Sequence, residues 1–262
     1  MRGYIKKFSL PLRGRGTAVA VDEEKTYKKE SVMNIHGFQK MTMLDFPGRV
    51  AATVFTAGCE LRCPFCHNAR LVTHPEEEDK IEVDETLEYF KKRKNMLDGV
   101  CLTGGEPLLQ KGLADYLYNI KELGLQVKLD TNGCSPDKLL ALIDKGLVDY
   151  VAMDIKNSPE RYGETVGVPT LDLAPIEESK KLLLSGRVDY EFRTTVVREL
   201  HTEESLLSAA RWIEGARVWY LQSFVDSGDT IGAGFSAHER DFMKMVAEKA
   251  RGFVQKVELR GI

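Results

Sequence analysis

The sequence contains no long hydrophobic run and no marked excess of charge of either sign. No stretch approaches the roughly 18 consecutive apolar residues of a membrane span. The 37 basic and 40 acidic side chains leave a formal net charge of −3, without the basic excess that non-specific nucleic-acid binding requires. We therefore expect neither a membrane nor a nucleic acid among its partners.

Features of secreted proteins are also missing. The charged residues Arg2, Lys6 and Lys7 are not followed by the apolar segment of about 7–15 residues that a signal peptide needs. The five cysteines are an odd number, and three crowd into residues 59–66, whereas a disulfide framework spreads an even number along the chain. We therefore expect a cytoplasmic protein, in which such a cluster indicates metal or redox chemistry.

Regular secondary-structure patterns begin near residue 50. Short apolar or β-branched runs predict strands at residues 50–55, 100–103, 126–130, 150–155, 190–196 and 218–222. Helical patterns lie between them; Leu113, Leu117 and Ile120 share one helix face, and Gly124 ends that helix. Alternating strands and helices predict an α/β fold with a parallel sheet, which right-handed crossovers curl into a partial (β/α)6 TIM-like barrel. A doubly wound open sheet is the alternative.

The domain organisation predicted from the sequence is simple. Residues 1–33 show no clear period, so we expect an N-terminal extension followed by one domain over residues 34–262. The methionines Met41, Met43 and Met153 are expected in the core or in the wall of a cavity.

Two helix N-termini have recognisable signals. Ser135 and Pro136 are expected to be the N-cap and first residue of one helix. Ser236 and Glu239 have the spacing of a capping box for the last helix.

Polar residues follow every predicted strand. They are residues 59–66, 103–107 and 130–133, then Asp154 with Lys156, Arg193 with Thr194, and Gln222 with Ser223. The carboxyl ends of parallel strands meet at one edge of the sheet, where ligands bind in such folds. The sequence therefore predicts a polar ligand site at this edge.

The spacing C-x3-C-x2-C of Cys59, Cys63 and Cys66 is the most informative motif. Three thiolates on one loop can hold three corners of an iron–sulfur cube, whereas such clusters usually take four cysteines. The missing fourth ligand predicts that a substrate or cofactor binds directly to iron.

Other interpretations of these cysteines remain open from the spacing alone. A structural zinc site would need a fourth ligand, such as His67 or His74. Residues 63–67 also match the C-x-x-C-H haem attachment pattern, and the C-x-x-C pair within them matches a thioredoxin-like redox site, but both leave Cys59 without a role. Three buried cysteines without function are the remaining alternative. We expect Cys101 and Cys134 to be packing residues.

A family resemblance narrows these alternatives. The triple-cysteine motif with Phe65 before its last cysteine, followed by Gly104-Gly105-Glu106-Pro107, resembles the radical S-adenosylmethionine (SAM) superfamily. The segments at residues 36–40, 44–48 and 66–68 resemble the glycyl-radical-enzyme activases, most closely the activating proteins of anaerobic ribonucleoside-triphosphate reductase. The resemblance covers about residues 33–225.

The resemblance implies a cofactor and a reaction. Cys59, Cys63 and Cys66 would hold one [4Fe-4S] cluster, and the amino and carboxylate groups of SAM would chelate its open iron. Reductive cleavage of SAM would give a 5′-deoxyadenosyl radical, which takes hydrogen from a backbone glycine of a partner enzyme. No side chain is expected to act as a general base, so we expect no catalytic residue beyond the cluster ligands.

The resemblance also implies the residues around SAM. Those expected to bind the cofactor are Phe65, His67, Gly104, Gly105, Glu106, Asp130, Thr131, Asp154, Lys156, Arg193 and His201. Among them, Glu106 would accept from the methionyl ammonium group, and the two glycines would let the backbone approach the ligand. The strand-end residues from Asp130 to Lys156 would lie near the ribose and carboxylate, or near a monovalent cation.

The expected partners follow from the same resemblance. They are a glycyl radical enzyme, anaerobic ribonucleotide reductase in the first place, and a low-potential electron donor such as flavodoxin or ferredoxin. The loop at residues 223–230 is expected to face the partner. The alternatives are pyruvate formate-lyase or another glycyl radical enzyme, a small molecule, an RNA base, or a module that binds zinc or transfers electrons without turnover.

Overall fold

A computed structural model describes residues 33–262 of the chain. The expected extension at residues 1–33 therefore lies outside the described residues, apart from Met33, which is 1% exposed and packs in the core. Within the described range, no helix is both long and apolar enough to cross a membrane.

One eight-stranded sheet forms the centre of the described chain. Its strands are β1 (Ile35–Thr42), β2 (Ala51–Thr56), β3 (Gly99–Gly104), β4 (Gln126–Thr131), β5 (Tyr150–Asp154), β6 (Asp189–Val196), β7 (Trp219–Ser223) and β8 (Val257–Arg260). The six predicted strands correspond to β2–β7. The sequence patterns missed β1 and β8, the two edge strands, because their partly exposed residues do not form an apolar run.

The strands lie side by side in chain order. The first pair, β1 and β2, is antiparallel, and all neighbours from β2 to β8 are parallel. A doubly wound sheet would reverse its strand order at a switch point, and this sheet does not. Within residues 33–262 no pairing joins β1 to β8, so the barrel is open on one side. The predicted partial TIM-like barrel is confirmed.

Helices connect the parallel strands. They are α1 (Ala69–Thr73), α2 (Val83–Arg93), α3 (Leu113–Glu122), α4 (Pro136–Asp144), α5 (Tyr162–Thr165), α6 (Ala174–Leu184), α7 (Glu203–Trp212) and α8 (Arg240–Ala250). Apolar helix residues such as Leu117 and Leu206 are fully buried and belong to one continuous core with Leu129 and Phe192 of the sheet. Because side chains alternate along a strand, the residues between these apolar positions face the other way, into the barrel.

The barrel interior is therefore charged. Lys128 and Asp130 flank Leu129 on β4, and Glu191 and Arg193 flank Phe192 on β6. Lys128 and Glu191 are buried at 1% and 0% exposure. Buried charges of this kind are stable only when they are paired and hydrogen-bonded.

The structure confirms one predicted helix start and contradicts the other. Ser135 is the N-cap of α4, with Pro136 as its first residue, but its hydroxyl makes no capping hydrogen bond. At α8 the N-cap is Glu239, without a side-chain capping bond. The Ser236 hydroxyl instead donates to Glu199 at 2.5 Å, so the predicted capping box is wrong. Ser236 lies too early in the chain and uses its hydroxyl to hold the loop after β6.

The methionine prediction is correct for one residue of three. Met153 is fully buried, but Met41 and Met43 are 59% and 74% exposed. They lie at the end of the edge strand β1 and in the turn after it, where the side chains are exposed. The apolar character of a methionine does not by itself show whether its side chain faces the core or the solvent at the edge of a sheet.

Candidate functional site

The three-cysteine loop lies between β2 and α1, at the carboxyl end of the sheet. Gly58 has φ of +88°, and its N–H donates to the Leu71 carbonyl at 2.9 Å, which turns the chain out of β2. The Arg62 N–H donates to the Val166 carbonyl at 2.9 Å. Gly167 allows this contact, since a Cβ there would lie 2.4 Å from the Arg62 carbonyl oxygen. The loop is thus held from both sides.

All three cysteines line a cavity of about 310 Å³ at this end of the barrel. Of the other residues expected to bind a cofactor, nine also line it: Phe65, His67, Gly104, Gly105, Asp130, Thr131, Asp154, Lys156 and Arg193. The structure does not bring Glu106 or His201 to the cavity wall. It also brings six further polar residues to the wall, none of which was expected to bind the cofactor: Asp45, Asn68, Thr103, Asn132, Thr195 and Gln222. Thr103, Asn132 and Gln222 belong to the strand-end positions for which the sequence predicts a polar ligand site, and Asn68 lies in the motif at residues 66–68.

The cysteines are thiols in the metal-free chain. Burial raises the pKa of Cys59 to about 12 and that of Cys63 to about 11, and it also raises the pKa of Cys66. None of the five cysteines in the described chain forms a disulfide. Since thiolates are the metal-binding form, metal uptake must displace protons from these side chains.

The donor set fits a cluster better than a single zinc ion. Among residues 33–262, no three His, Cys, Asp or Glu side chains are placed to hold one metal ion. The two histidines considered for zinc have other contacts: His67 Nε2 lies 2.8 Å from the Val225 carbonyl, and His74 Nδ1 lies 2.8 Å from the Thr73 hydroxyl. Three thiols spread around one cavity suit a group with several irons, as a [4Fe-4S] cluster has.

Gly104 and Gly105 are also required by the backbone that packs against them. A Cβ on Gly104 would lie 2.4 Å from the Thr56 backbone nitrogen, and a Cβ on Gly105 would lie 2.1 Å from the Gly58 carbonyl oxygen. Gly104 also has φ of +112°. The two glycines border the cavity, but their missing side chains make room for the β2 backbone and the start of the cysteine loop.

Glu106 joins the ends of β3 and β4. Its carboxylate accepts the Leu108 N–H at 3.0 Å, the Asn132 N–H at 2.7 Å and the Thr131 hydroxyl at 2.9 Å. The side chain is only 1% exposed, and burial raises its pKa to about 8. In this structure Glu106 lies outside the cavity wall and holds Thr131 and Asn132, which line it. A contact between Glu106 and the ammonium group of a ligand stays a prediction.

His201 supports the cavity from outside. Its Nδ1 accepts the Val197 N–H at 3.0 Å, so its Nε2 is the protonated nitrogen that donates to the Lys156 carbonyl at 2.7 Å. Burial lowers the pKa of His201 to about 4, which keeps the ring neutral. The ring also meets Phe65 edge-on, with centroids 6.4 Å apart. His201 therefore orients two residues that line the cavity.

A ladder of alternating charges forms one side of the cavity. Arg193 donates to Asp130 at 2.9 Å and to Asp154 at 3.0 Å. Asp154 also accepts from Lys156 at 2.8 Å, and Asp130 pairs with the buried Lys128. Burial disfavours the ionised form of Asp130, but Arg193 and Lys128 outweigh it and lower the pKa to about 2. Such a ladder can bind a ligand that carries both a cation and an anion.

The two other cysteines differ in position. Cys101 is fully buried inside the barrel, with its sulfur 3.7 Å from an Asp130 oxygen. Cys134 is partly exposed and follows the β4 end. Its N–H donates to the Asn132 side-chain oxygen at 2.9 Å. Neither side chain lines the cavity.

Comparisons with known proteins find relatives and a shared fold. One relative is a protein of Methanocaldococcus jannaschii that is named as a proposed glycyl-radical enzyme activating enzyme. It is 27% identical to this chain over 239 residues, which are 87% of this chain and 96% of that protein. The pyruvate formate-lyase-activating enzyme of Staphylococcus aureus is 36% identical over 110 residues, 40% of this chain and 43% of that enzyme. The solved structure of Streptococcus suis SuiB bound to S-adenosylmethionine shares the fold, with a TM-score of 0.62 at 12% identity over 78% of this chain and 48% of that one.

A family model covers most of the barrel. The model of the Radical SAM superfamily matches residues 53–212, from β2 to the end of α7, and this range includes all three cysteines of the cavity. The order of the strands and the position of the cysteine loop are those expected for the family. This chain therefore belongs to the radical SAM superfamily of enzymes.

Proposed function

We propose that this chain is a glycyl-radical-enzyme activase whose partner is an anaerobic ribonucleoside-triphosphate reductase. The observation that carries the proposal is the cavity that Cys59, Cys63 and Cys66 share with the charged ladder at the strand ends. The activase class is supported by the Methanocaldococcus jannaschii relative, which this chain matches over 96% of its length. The choice of partner rests on the resemblance of residues 36–48 and 66–68.

The cysteines and the ladder have separate roles in this proposal. Cys59, Cys63 and Cys66 would hold the [4Fe-4S] cluster, which when bound would supply an electron to the sulfonium group of SAM. The methionyl part of SAM carries an ammonium and a carboxylate, and the ladder of Asp154, Lys156 and Arg193 offers both complementary charges. A monovalent cation beside Asp130 and Asp154 stays a prediction, since both carboxylates already face Arg193.

Other residues of the chain shape the cavity. Phe65 is 3% exposed, lines the cavity and packs edge-on against His201, so it adds an apolar surface between two of the cysteines. The His67 ring stacks on Phe224 at 5.3 Å between centroids and contacts the Val225 carbonyl. His67 therefore positions the loop after β7 as well as the cysteine loop.

The loop after β7 is the proposed partner-facing surface. Residues 225–229 are exposed, and Gln222 at its start lines the cavity. The contact between His67 and Val225 joins this loop to the cysteine loop. We propose that a protein segment that enters the cavity passes these residues. The electron donor, a flavodoxin or ferredoxin, and a cytoplasmic location remain parts of the proposal.

Electron paramagnetic resonance tests the partner directly. The chain is reconstituted anaerobically with iron and sulfide, reduced with dithionite, and given SAM with either anaerobic ribonucleotide reductase or pyruvate formate-lyase. We expect a glycyl doublet in the reductase only, together with 5′-deoxyadenosine. A doublet in the lyase alone favours the second candidate, which the partial match to the Staphylococcus aureus enzyme supports. Nucleoside product without a doublet in either enzyme overturns both and favours a small molecule or RNA.

A further inference from the structure

The loop after β4 places a buried carboxamide against one of the three cysteines. Asn132 is 6% exposed, and its Nδ2 lies 3.7 Å from the sulfur of Cys59. The backbone N–H of Leu61 also donates to this sulfur, at 3.4 Å. In the part of the chain that the structure describes, neither Cys63 nor Cys66 accepts a hydrogen bond from a side chain. The three thiols therefore have unequal surroundings.

The orientation of the Asn132 amide is set by its neighbours. Its side-chain oxygen accepts the Cys134 N–H at 2.9 Å, so the amide nitrogen is the atom that faces Cys59. Its backbone N–H donates to Glu106 at 2.7 Å. Glu106 is buried and also holds Leu108, so it fixes the backbone of Asn132 against the neighbouring strand end. The donor is thus in place before any ligand binds.

The turn alone does not explain why this residue is an asparagine. An aspartate at position 132 would accept the same Cys134 N–H and form the same turn. Only the carboxamide adds an N–H, and a buried N–H needs an acceptor. Among residues 33–262 no buried side-chain nitrogen or oxygen lacks a partner. The partner of the Asn132 amide is the Cys59 sulfur.

We propose that Asn132 is a positioning residue that donates its side-chain amide to the Cys59 thiolate and thereby raises the reduction potential of the bound cluster. The inference rests on the proposed function in one respect, namely that Cys59 is a cluster ligand. Hydrogen bonds to the sulfurs are among the factors that set iron–sulfur potentials. Reduction adds negative charge to the cluster and its thiolates, which an N–H donor stabilises, so removal of the donor makes reduction harder.

A redox titration of the reconstituted chain without SAM tests this role. The variants are Asn132→Leu, which keeps the shape and removes the N–H, and Asn157→Leu as a matched control. Asn157 is buried as well, and its amide donates to the Thr165 hydroxyl at 2.8 Å and the Leu200 carbonyl at 3.0 Å, not to sulfur. At the wild-type midpoint we expect the ratio of reduced to oxidised cluster in Asn132→Leu to fall about three- to tenfold, where tenfold corresponds to about 59 mV.

The outcomes separate this inference from the proposed function. If Asn132→Leu takes up no iron, Asn132→Ser replaces it in the titration. Serine is neutral, can accept the Cys134 N–H of the turn and is too short to reach Cys59. An unchanged ratio in the variant that carries the cluster overturns the inference, as does an equal fall in Asn157→Leu. The titration uses neither SAM nor a partner protein. A shifted potential in a chain that activates no glycyl radical enzyme therefore overturns the proposed function and leaves the inference standing.

Discussion

A Cβ atom on Gly105 would lie 2.1 Å from the carbonyl oxygen of Gly58. The glycine after β3 and the glycine before Cys59 are therefore packed backbone against backbone. This contact is reinforced by two hydrogen bonds, from the Gly105 N–H to the Thr56 carbonyl at 2.7 Å and from the Glu106 N–H to the Gly58 carbonyl at 2.8 Å. The position of the cysteine loop therefore depends on the absence of a side chain at the residue that follows β3.

Gly105→Ala should displace the cysteine loop. The added methyl group meets backbone, which cannot rotate away, so we expect a loss of about 3 kcal/mol or more in the free energy of unfolding and a lower iron content after reconstitution. Chemical denaturation and iron analysis measure these effects. Gly252→Ala is the matched control, because its Cβ would meet only the Lys249 carbonyl at 3.4 Å. Equal stability of the two variants would contradict this account of Gly105.

Replacement of any one ligand cysteine should abolish SAM cleavage. We expect Cys59→Ala, Cys63→Ala and Cys66→Ala each to lose the cluster absorbance and the 5′-deoxyadenosine product after anaerobic reconstitution, since each supplies one of three protein ligands. Cys101→Ala is the control, as its fully buried side chain does not line the cavity. Retained cleavage in all three ligand variants would refute the cluster assignment.

Arg193 should contribute more to stability than a surface arginine does. It bridges Asp130 and Asp154 in the ladder. Arg193→Met leaves two partly buried carboxylates without this cation, and we expect it to lower the free energy of unfolding by about 3 kcal/mol. Arg187→Met, which removes an exposed pair with Asp144, should cost at most about 1 kcal/mol. Urea denaturation of the metal-free chains compares them.

Arg193→Lys should restore only part of this stability. A lysine ammonium is a point charge without the planar fork that reaches Asp130 and Asp154 together. Full recovery by lysine would show that charge alone matters at this position, and equal losses in Arg193→Met and Arg187→Met would show that the ladder adds nothing.

His201 should make the metal-free chain less stable as the pH falls below about 6.5. Burial lowers its pKa from 6.5 to about 4 in the folded chain, so the unfolded chain binds the proton more readily. Its contribution is fully present above pH 6.5 and is lost as the pH falls towards 4. From pH 6.5 to 5 the loss should approach about 2 kcal/mol, at about 1.4 kcal/mol per pH unit.

The comparison for this pH effect uses two variants. In His201→Gln this part of the pH dependence should vanish, and in His74→Gln it should persist, because His74 is exposed. Denaturant midpoints measured at pH 5 and pH 7 decide the question. If His201→Gln loses as much stability between pH 7 and pH 5 as the wild-type chain, the effect comes from another titratable group.

The sequence predicted the central barrel well because its signals are local. The strands β2–β7 are short apolar runs, and Leu113, Leu117 and Ile120 form a helical stripe that the structure buries. The edge strand β1 and the exposed Met41 were misjudged, because an edge strand is covered on fewer sides and its residue types do not report that. The capping pair at Ser236 failed for a related reason, since a long-range contact with Glu199 took its hydroxyl.

The sequence could indicate candidate site residues that lie together in one motif. It could not indicate contacts between residues that are far apart in the chain. Cys59, Cys63 and Cys66 are recognisable by spacing, and all three border the cavity. Nothing in the spacing indicates that Glu106 holds Asn132, or that Asn132 faces Cys59. These contacts join residues that are 26 and 73 positions apart.

The order of residues along this chain determined the alternation of strands and helices and the grouping of three thiols on one loop. Both depend on neighbours within a few positions, where periodicity and spacing carry the information. Only the tertiary structure decided which carboxylates are paired, which glycine accommodates a neighbouring backbone and which sulfur receives an amide. Those outcomes depend on distances between separate strand ends, which are set by the register and curvature of the whole sheet.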